Sequence, residues 1–196
     1  MNDGLIYFQD GHVVAKSGEV GVYRMNKELF LEIGPGHNLW TLESEYSDYI
    51  EQLEDKPKGD CLEIGLGLGV ASRCILTYPQ VKHLTTVEKN KDVIQTHGQI
   101  SPLLDESAKL GRWAPYDADR HTILNADGML YMYKTQKRFD FIFLDFYQEI
   151  DEESLPLIAD MVKACRKVLK RKGSIVGWLD PYTEEEDAYK FKRLFK

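Results

Sequence analysis

The chain has 196 residues, of which 43% are hydrophobic and 29% charged, with a formal net charge of −7. That length holds one domain with a small appendage and a real core, and the composition is that of a soluble globular protein. The acidic balance argues against broad binding to a nucleic-acid backbone, and no apolar stretch reaches the roughly 18–20 residues that span a bilayer. Met1-Asn2-Asp3-Gly4 lacks the basic start of a signal peptide, so a cytoplasmic protein is expected. Cys61, Cys74 and Cys165 form no C-x-x-C pair and read as small core residues. No His, Cys or carboxylate cluster has metal-ligand spacing, so no metal is expected.

Residues 5–34 read as a β-ribbon. Leu5–Gln9 and His12–Lys16 flank the hairpin turn Asp10-Gly11, and Val20–Met25 and Glu28–Ile33 flank Asn26-Lys27 in the same manner. Gly34-Pro35-Gly36 ends the ribbon, giving an N-terminal unit of residues 1–36. The rest, 37–196, is expected to form an α/β domain led by a linking helix of about 42–54, with Leu42, Tyr46, Tyr49, Ile50 and Leu53 on one face. Strands are expected at 61–64, 83–88, 121–124, 139–145 and 174–179, with helices near 68–78, 90–99 and 152–170. Residues 101–119, with Pro102 and Pro115, read as an irregular loop, and His97 as a solvated residue at the end of a helix. The run 141–144 is continuously apolar, as in a central strand covered on both faces. The pattern is a mostly parallel, doubly wound sheet, shortened because the chain stops soon after the fifth strand. A tail helix within 184–196 would cover that strand with Ala188, Phe191 and Leu194 or Phe195.

The chemistry-bearing motif is Glu63-Ile64-Gly65-Leu66-Gly67-Leu68-Gly69, with Glu88 closing the next strand 19 residues after Gly69. Glycines let backbone approach a nucleoside, and an acid at the end of the second strand accepts from ribose hydroxyls. A dinucleotide fingerprint needs glycine at position 70, where Val70 stands. The extra acid at Glu63 disfavours a pyrophosphate and suits a ligand with a cationic tail, such as S-adenosylmethionine or its decarboxylated form. Asp127-Gly128 reads equally as a turn cap, and Asp145 as a cap on the chain reversal after a buried strand.

Together with Thr86-Val87-Glu88, Ala126-Asp127-Gly128 and Phe139–Asp145, that motif resembles the class I S-adenosylmethionine-dependent methyltransferase fold, and within it the spermidine synthase-like branch. The ribbon adds to the resemblance, Phe8-Gln9-Asp10 being similar to the family's Tyr-Gln-Asp. The resemblance implies that Gly65, Gly67 and Gly69 line the nucleoside's tail with Glu63 near its cationic end. It also implies that Glu88 binds the ribose, that Asp127 accepts from the adenine amino group and that Gly128 leaves room for the ring. Asp145 would take the proton of the attacking nucleophile, with Gln9, Tyr147 and Gln148 around the acceptor. The family's second aspartate, three residues after the first, is here Gln148, which cannot offset an ammonium charge.

The function expected on these grounds is a transferase using S-adenosylmethionine or a close analogue. Methyl transfer to a small-molecule nucleophile leads because of Gln148. The alternatives are a spermidine synthase-like aminopropyltransferase using decarboxylated S-adenosylmethionine, and a non-catalytic nucleoside-binding subunit. The apolar residues of the ribbon, Ile6 to Ile33, are too many to face water unpaired, so a homodimer is expected.

Overall fold

A computed structural model of the chain describes residues 12–25, 28–34, 38–109 and 117–196. The N-terminal part is an antiparallel sheet in the order β1 (His12–Ser17), β2 (Val20–Met25), β3 (Glu28–Ile33) and β4 (Asn38–Leu42). Val20 pairs Ile33 and Met25 pairs Glu28, the register expected of a hairpin at Asn26-Lys27. That turn, Asp10-Gly11 and strand 5–9 lie outside the described residues. The ribbon does not end at Gly34: β4 pairs with β3, Ile33 against Asn38 and Phe30 against Leu42. The expected helix of 42–54 accordingly begins later, as α1 (Tyr46–Leu53) after a 3-10 turn over Glu43–Glu45. Leu39-Trp40-Thr41-Leu42 favours strand, and cross-strand partners on β3 decide the matter.

The second sheet is parallel throughout, in the order β7-β6-β5-β8-β9. Its strands are β5 (Gly59–Ile64), β6 (Val81–Glu88), β7 (His121–Asn125), β8 (Phe139–Leu144) and β9 (Leu169–Gly177). They alternate with α2 (Val70–Leu76), α3 (Lys91–Lys109), α4 (Gly128–Lys134) and α5 (Ser154–Val168), and α6 (Glu185–Leu194) follows. Alternate residues of the two central strands enter different cores, as the two-residue period requires. Cys61, Phe141 and Phe143 join the core of the ribbon, α1, α2 and α3. Leu62, Ile64, Ile142 and Leu144 join that of α5 and α6. The tail helix buries Phe191 beside the edge strand β9, as its spacing implied.

Three elements depart from the sequence reading. Helix α3 continues through Pro102 to Lys109 instead of ending near 99, because Ile100 and Leu104, on either side of the proline, are fully buried and hold it. Residues 110–116 of the expected loop lie outside the described residues. Helix α4 was not foreseen, because seven residues are too few for periodicity to show. Strand β9 begins at Leu169 rather than 174, inside the expected end of the helix near 152–170: Lys170 Nζ bridges Asp60 at 2.8 Å and Asp140 at 2.7 Å.

The ribbon folds onto its own α/β domain. Ala15, Val20, Val22, Leu29 and Leu31 share one buried cluster with Val93, Ile100 and Leu104 of α3, and Ser17 Oγ donates to Asp92 Oδ1 at 2.6 Å. Of the apolar ribbon residues behind the expected homodimer, Val20 and Val22 are thus covered within the chain, while Val13 stays 55% exposed. No described helix is long and apolar enough to cross a membrane.

Candidate functional site

The strand order changes direction at the β5–β8 boundary, and open α/β sheets bind ligands in the crevice beyond the carboxyl ends of such strands. A cavity of about 360 Å³ lies there. The ends of four strands line it: Gly65 and Gly67 after β5, Glu88 and Asn90 at β6, Asp127 and Gly128 after β7, Asp145 to Tyr147 after β8. Leu31 and Ile33 of the ribbon and Leu157 and Met161 of α5 complete the wall.

Gly65 carries the tightest constraint in the loop. Its φ is +96°, and a Cβ there would stand 1.9 Å from the carbonyl oxygen of Asp145. Glycine therefore lets β5 and β8 close on each other, with Asp145 N–H donating to Ile64 O at 2.8 Å and Gly65 N–H to Val87 O at 3.0 Å.

Glu88 is buried, 9% exposed, and binds the protein with both oxygens. Oε2 accepts from Leu66 N–H at 3.0 Å, and Oε1 accepts from Asn90 N–H at 2.7 Å. A carboxylate has about four lone-pair sites, so each oxygen retains capacity for a ribose hydroxyl. Asp127 caps α4, Oδ1 accepting from Leu130 N–H at 2.8 Å, and it also stands on the cavity wall, so both readings of this residue hold geometrically. A Cβ on Gly128 would meet Ile64 Cγ2 at 2.8 Å, so the missing side chain there serves close packing.

Asp145 is partly buried on the cavity wall after β8. Burial raises its carboxyl to about 6, and Glu88 pushes the same way, while a hydrogen bond from Tyr49 opposes the rise. Tyr49 Oη donates to Asp145 Oδ2 at 2.7 Å, and its ring lies 4.1 Å from that of Trp178 and edge-on to Phe143 at 5.9 Å. Burial and the facing Asp145 hold the Tyr49 phenol well above its ordinary value, so it remains a donor. The sequence reading missed this contact because Tyr49 fits the apolar face of α1. Its one signal was a polar tip on a residue otherwise turned inward.

Other expected site residues fall away from the ligand face. Glu63 is fully buried and does not line the cavity. Its Oε2 accepts from Ser72 Oγ and, at 2.5 Å, from Thr86 Oγ1, while burial raises the carboxyl to about 8. Gly69 also stands off the cavity wall, packed on His97. Tyr147 does line the cavity, but its hydroxyl lies 2.7 Å from Trp178 O and 3.2 Å from Leu144 O, tying it to backbone. Gln148 is exposed and outside the cavity wall. Gln9 lies outside the described residues. His97 is not at a solvated helix end: it is buried inside α3. Among the described residues, no group of three His, Cys, Asp or Glu is placed to hold a metal.

The 3-2-1-4-5 parallel sheet, the glycine loop at its switch point and the acid closing the second strand define a Rossmann-like methyltransferase fold. Crystal structures of the same architecture include spermidine synthase from Thermotoga maritima, with a TM-score of 0.69 at 18% identity. Another is spermidine synthase in complex with the transition state analogue AdoDATO, with a TM-score of 0.68 at 18% identity. In both, the match covers 93% of this chain and 62% of the other. Residues 46–190 match the family model of the spermine/spermidine synthase domain, and the chain belongs to that family. A curated relative, the polyamine aminopropyltransferase of Prochlorococcus marinus (strain MIT 9515), is 27% identical over 140 residues. Those residues are 71% of this chain and 45% of the relative, so the chain spans under half of that protein's length.

Proposed function

We propose that the chain binds decarboxylated S-adenosylmethionine and transfers its aminopropyl group to an amine. The observation that carries this reading is the charge of the cavity wall. Glu88, Asp127 and Asp145 face Lys89 as the one base among the described lining residues. A nucleoside whose tail ends in an ammonium complements such a wall, whereas one that also bears a carboxylate is repelled. Membership of the family and the likeness to a polyamine aminopropyltransferase support the same choice. Methyl transfer was favoured because of Gln148, and that ground is gone, since Gln148 is exposed and off the cavity wall.

In this reading the acceptor nitrogen's lone pair forms a bond to the aminopropyl carbon while that carbon's bond to sulfur breaks. The sulfur keeps the electron pair, and methylthioadenosine leaves. The proton lost by nitrogen passes to Asp145, whose carboxyl at about 6 is ionised at neutral pH yet basic enough to accept it. Tyr49 holds Oδ2, which leaves Oδ1 to meet the nucleophile. Glu88 and the glycine loop hold the nucleoside, and fixing the two reactants in line can supply up to about 7–11 kcal/mol.

Incubation with putrescine or spermidine and either nucleoside, followed by mass spectrometry, tests the reading. Methylthioadenosine and an aminopropylated amine are expected from the decarboxylated nucleoside alone. A methylated product and S-adenosylhomocysteine would instead establish methyl transfer.

A further inference from the structure

We propose that His97 is a positioning residue that fixes the glycine loop in its ligand-binding shape, making α3 the strut between the ribbon and that loop. The proposal rests on the nucleoside reading only for its effect on affinity.

Helix α3 meets the loop directly at His97 and, at its start, through Glu88 of β6. At its start, Asn90 N–H and Leu66 N–H share the carboxylate of Glu88, which ties the beginning of α3 to the front of the loop. Two turns on, His97 Nδ1 lies 3.1 Å from Leu68 O. A carbonyl only accepts, so Nδ1 carries the proton, and burial keeps the ring neutral by lowering its pKa to about 4. Leu66 and Leu68 are the two residues between the three glycines, and each is held by a polar side chain, Leu66 by Glu88 at the end of β6 and Leu68 by His97 on α3.

The fit is also steric. Gly69 has φ +81°, and a Cβ on it would stand 2.3 Å from His97 Cε1, so the imidazole occupies the space a side chain would fill. Gly69 begins α2 and donates its N–H to Leu66 O at 2.7 Å. The imidazole thus bears on the residue where loop becomes helix. At the same end of α3, Asp92 accepts from Ser17 of the ribbon, and Val93 lines the cavity. A shift of α3 relative to the sheet would move Leu68, Gly69 and the cavity wall together.

A core histidine that merely fills space would tolerate any residue of similar volume; a positioning histidine needs its N–H. His97→Leu and His97→Met fill the space without a donor, and His97→Asn places an amide N–H near the position of Nδ1–H. Hydrogen–deuterium exchange on the ligand-free chain reads the loop directly through the amides of Leu66 and Gly69. Calorimetry with methylthioadenosine and steady-state kinetics read the consequence. Loss of one buried hydrogen bond corresponds to about a tenfold effect. His97→Leu and His97→Met are therefore expected to speed exchange of the loop amides and raise the nucleoside KM about tenfold, with kcat and the β8 amides unchanged. His97→Asn is expected to recover most of both. Loop exchange equal to wild type in the Leu and Met variants overturns the proposal, as does an Asn variant no better than they are. Wild-type protein that binds no methylthioadenosine refutes the proposed function instead, and the exchange comparison then still decides the role of His97.

Discussion

Tyr49→Phe removes one hydrogen bond from the reacting end and leaves the ring. Tyr49 Oη donates to Asp145 Oδ2 at 2.7 Å, among the described residues the one interaction holding down a carboxyl that burial and Glu88 push up to about 6. A hydrogen bond to a charged group contributes about 1.5–3 kcal/mol, and one pKa unit is about 1.36 kcal/mol. The carboxyl should therefore rise by about 1–2 units, to about 7–8. In its proposed role as the base, Asp145 works only when ionised, so kcat/KM of the wild type should increase with pH through about 6, and that of the variant through about 7–8. At pH 7 the ionised fraction falls from about nine-tenths to between one half and one tenth. Phenylalanine keeps the contacts with Trp178 and Phe143, so the melting temperature should report a retained fold. The assays are the pH profile of kcat/KM and, independently of turnover, titration of the Asp145 carboxyl by 13C NMR. Equal pKa values in the two proteins would refute the pairing of Tyr49 with the reactive acid.

Glu88→Ala removes the proposed ribose acceptor and releases Leu66 N–H, so calorimetry should show nucleoside affinity about ten- to a hundredfold weaker; unchanged affinity in a folded variant removes Glu88 from the site. Glu63→Gln should abolish a pH dependence of stability. Burial holds the native carboxyl's proton up to about 8 against an ordinary 4.5, so Glu63 by itself makes stability fall as pH rises from 4.5 to 8, and the wild type should lose about 3–5 kcal/mol more than Glu63→Gln across that window, in which the lowered His97 acts the opposite way in both proteins. Urea unfolding of both proteins at the two ends of the window checks this, and parallel profiles contradict it. Gln148→Asp should leave the KM for the amine within about twofold, because the side chain is exposed and off the cavity wall; a large gain in polyamine affinity would place it at the acceptor after all.

The nucleotide domain was legible because its signals are local. A buried strand, three alternating glycines and an acid closing the next strand lie within 26 residues, Glu63 to Glu88, and the continuous apolar run 141–144 marks a central strand. Gly65, Gly67, Glu88, Asp127, Gly128, Asp145 and Tyr147 all come together on one cavity. What the sequence hid depends on contacts between distant segments. Strand β4 exists because β3 offers it partners, and α3 outlasts Pro102 because Ile100 and Leu104 are buried on either side. Tyr49 and Asp145 are 96 positions apart, and only the fold brings them together. Glu63 was placed at the ligand because acids near glycine loops suggest recognition. The two-residue period of β5 instead turns it into the interior, toward Ser72 and Thr86.

The central claim is that the cavity prefers a nucleoside whose tail is wholly cationic. Calorimetric titration of the chain with decarboxylated S-adenosylmethionine and with S-adenosylmethionine, in the same low-salt buffer at pH 7.5, tests it most directly. A tail carboxylate held roughly 8 Å from Asp145 at an effective dielectric of ~20 costs about 2 kcal/mol, or about thirtyfold in affinity. The decarboxylated nucleoside should bind tighter by about that factor, with the difference shrinking as salt is added. Equal or tighter binding of S-adenosylmethionine would contradict the claim and return the site to methyl transfer.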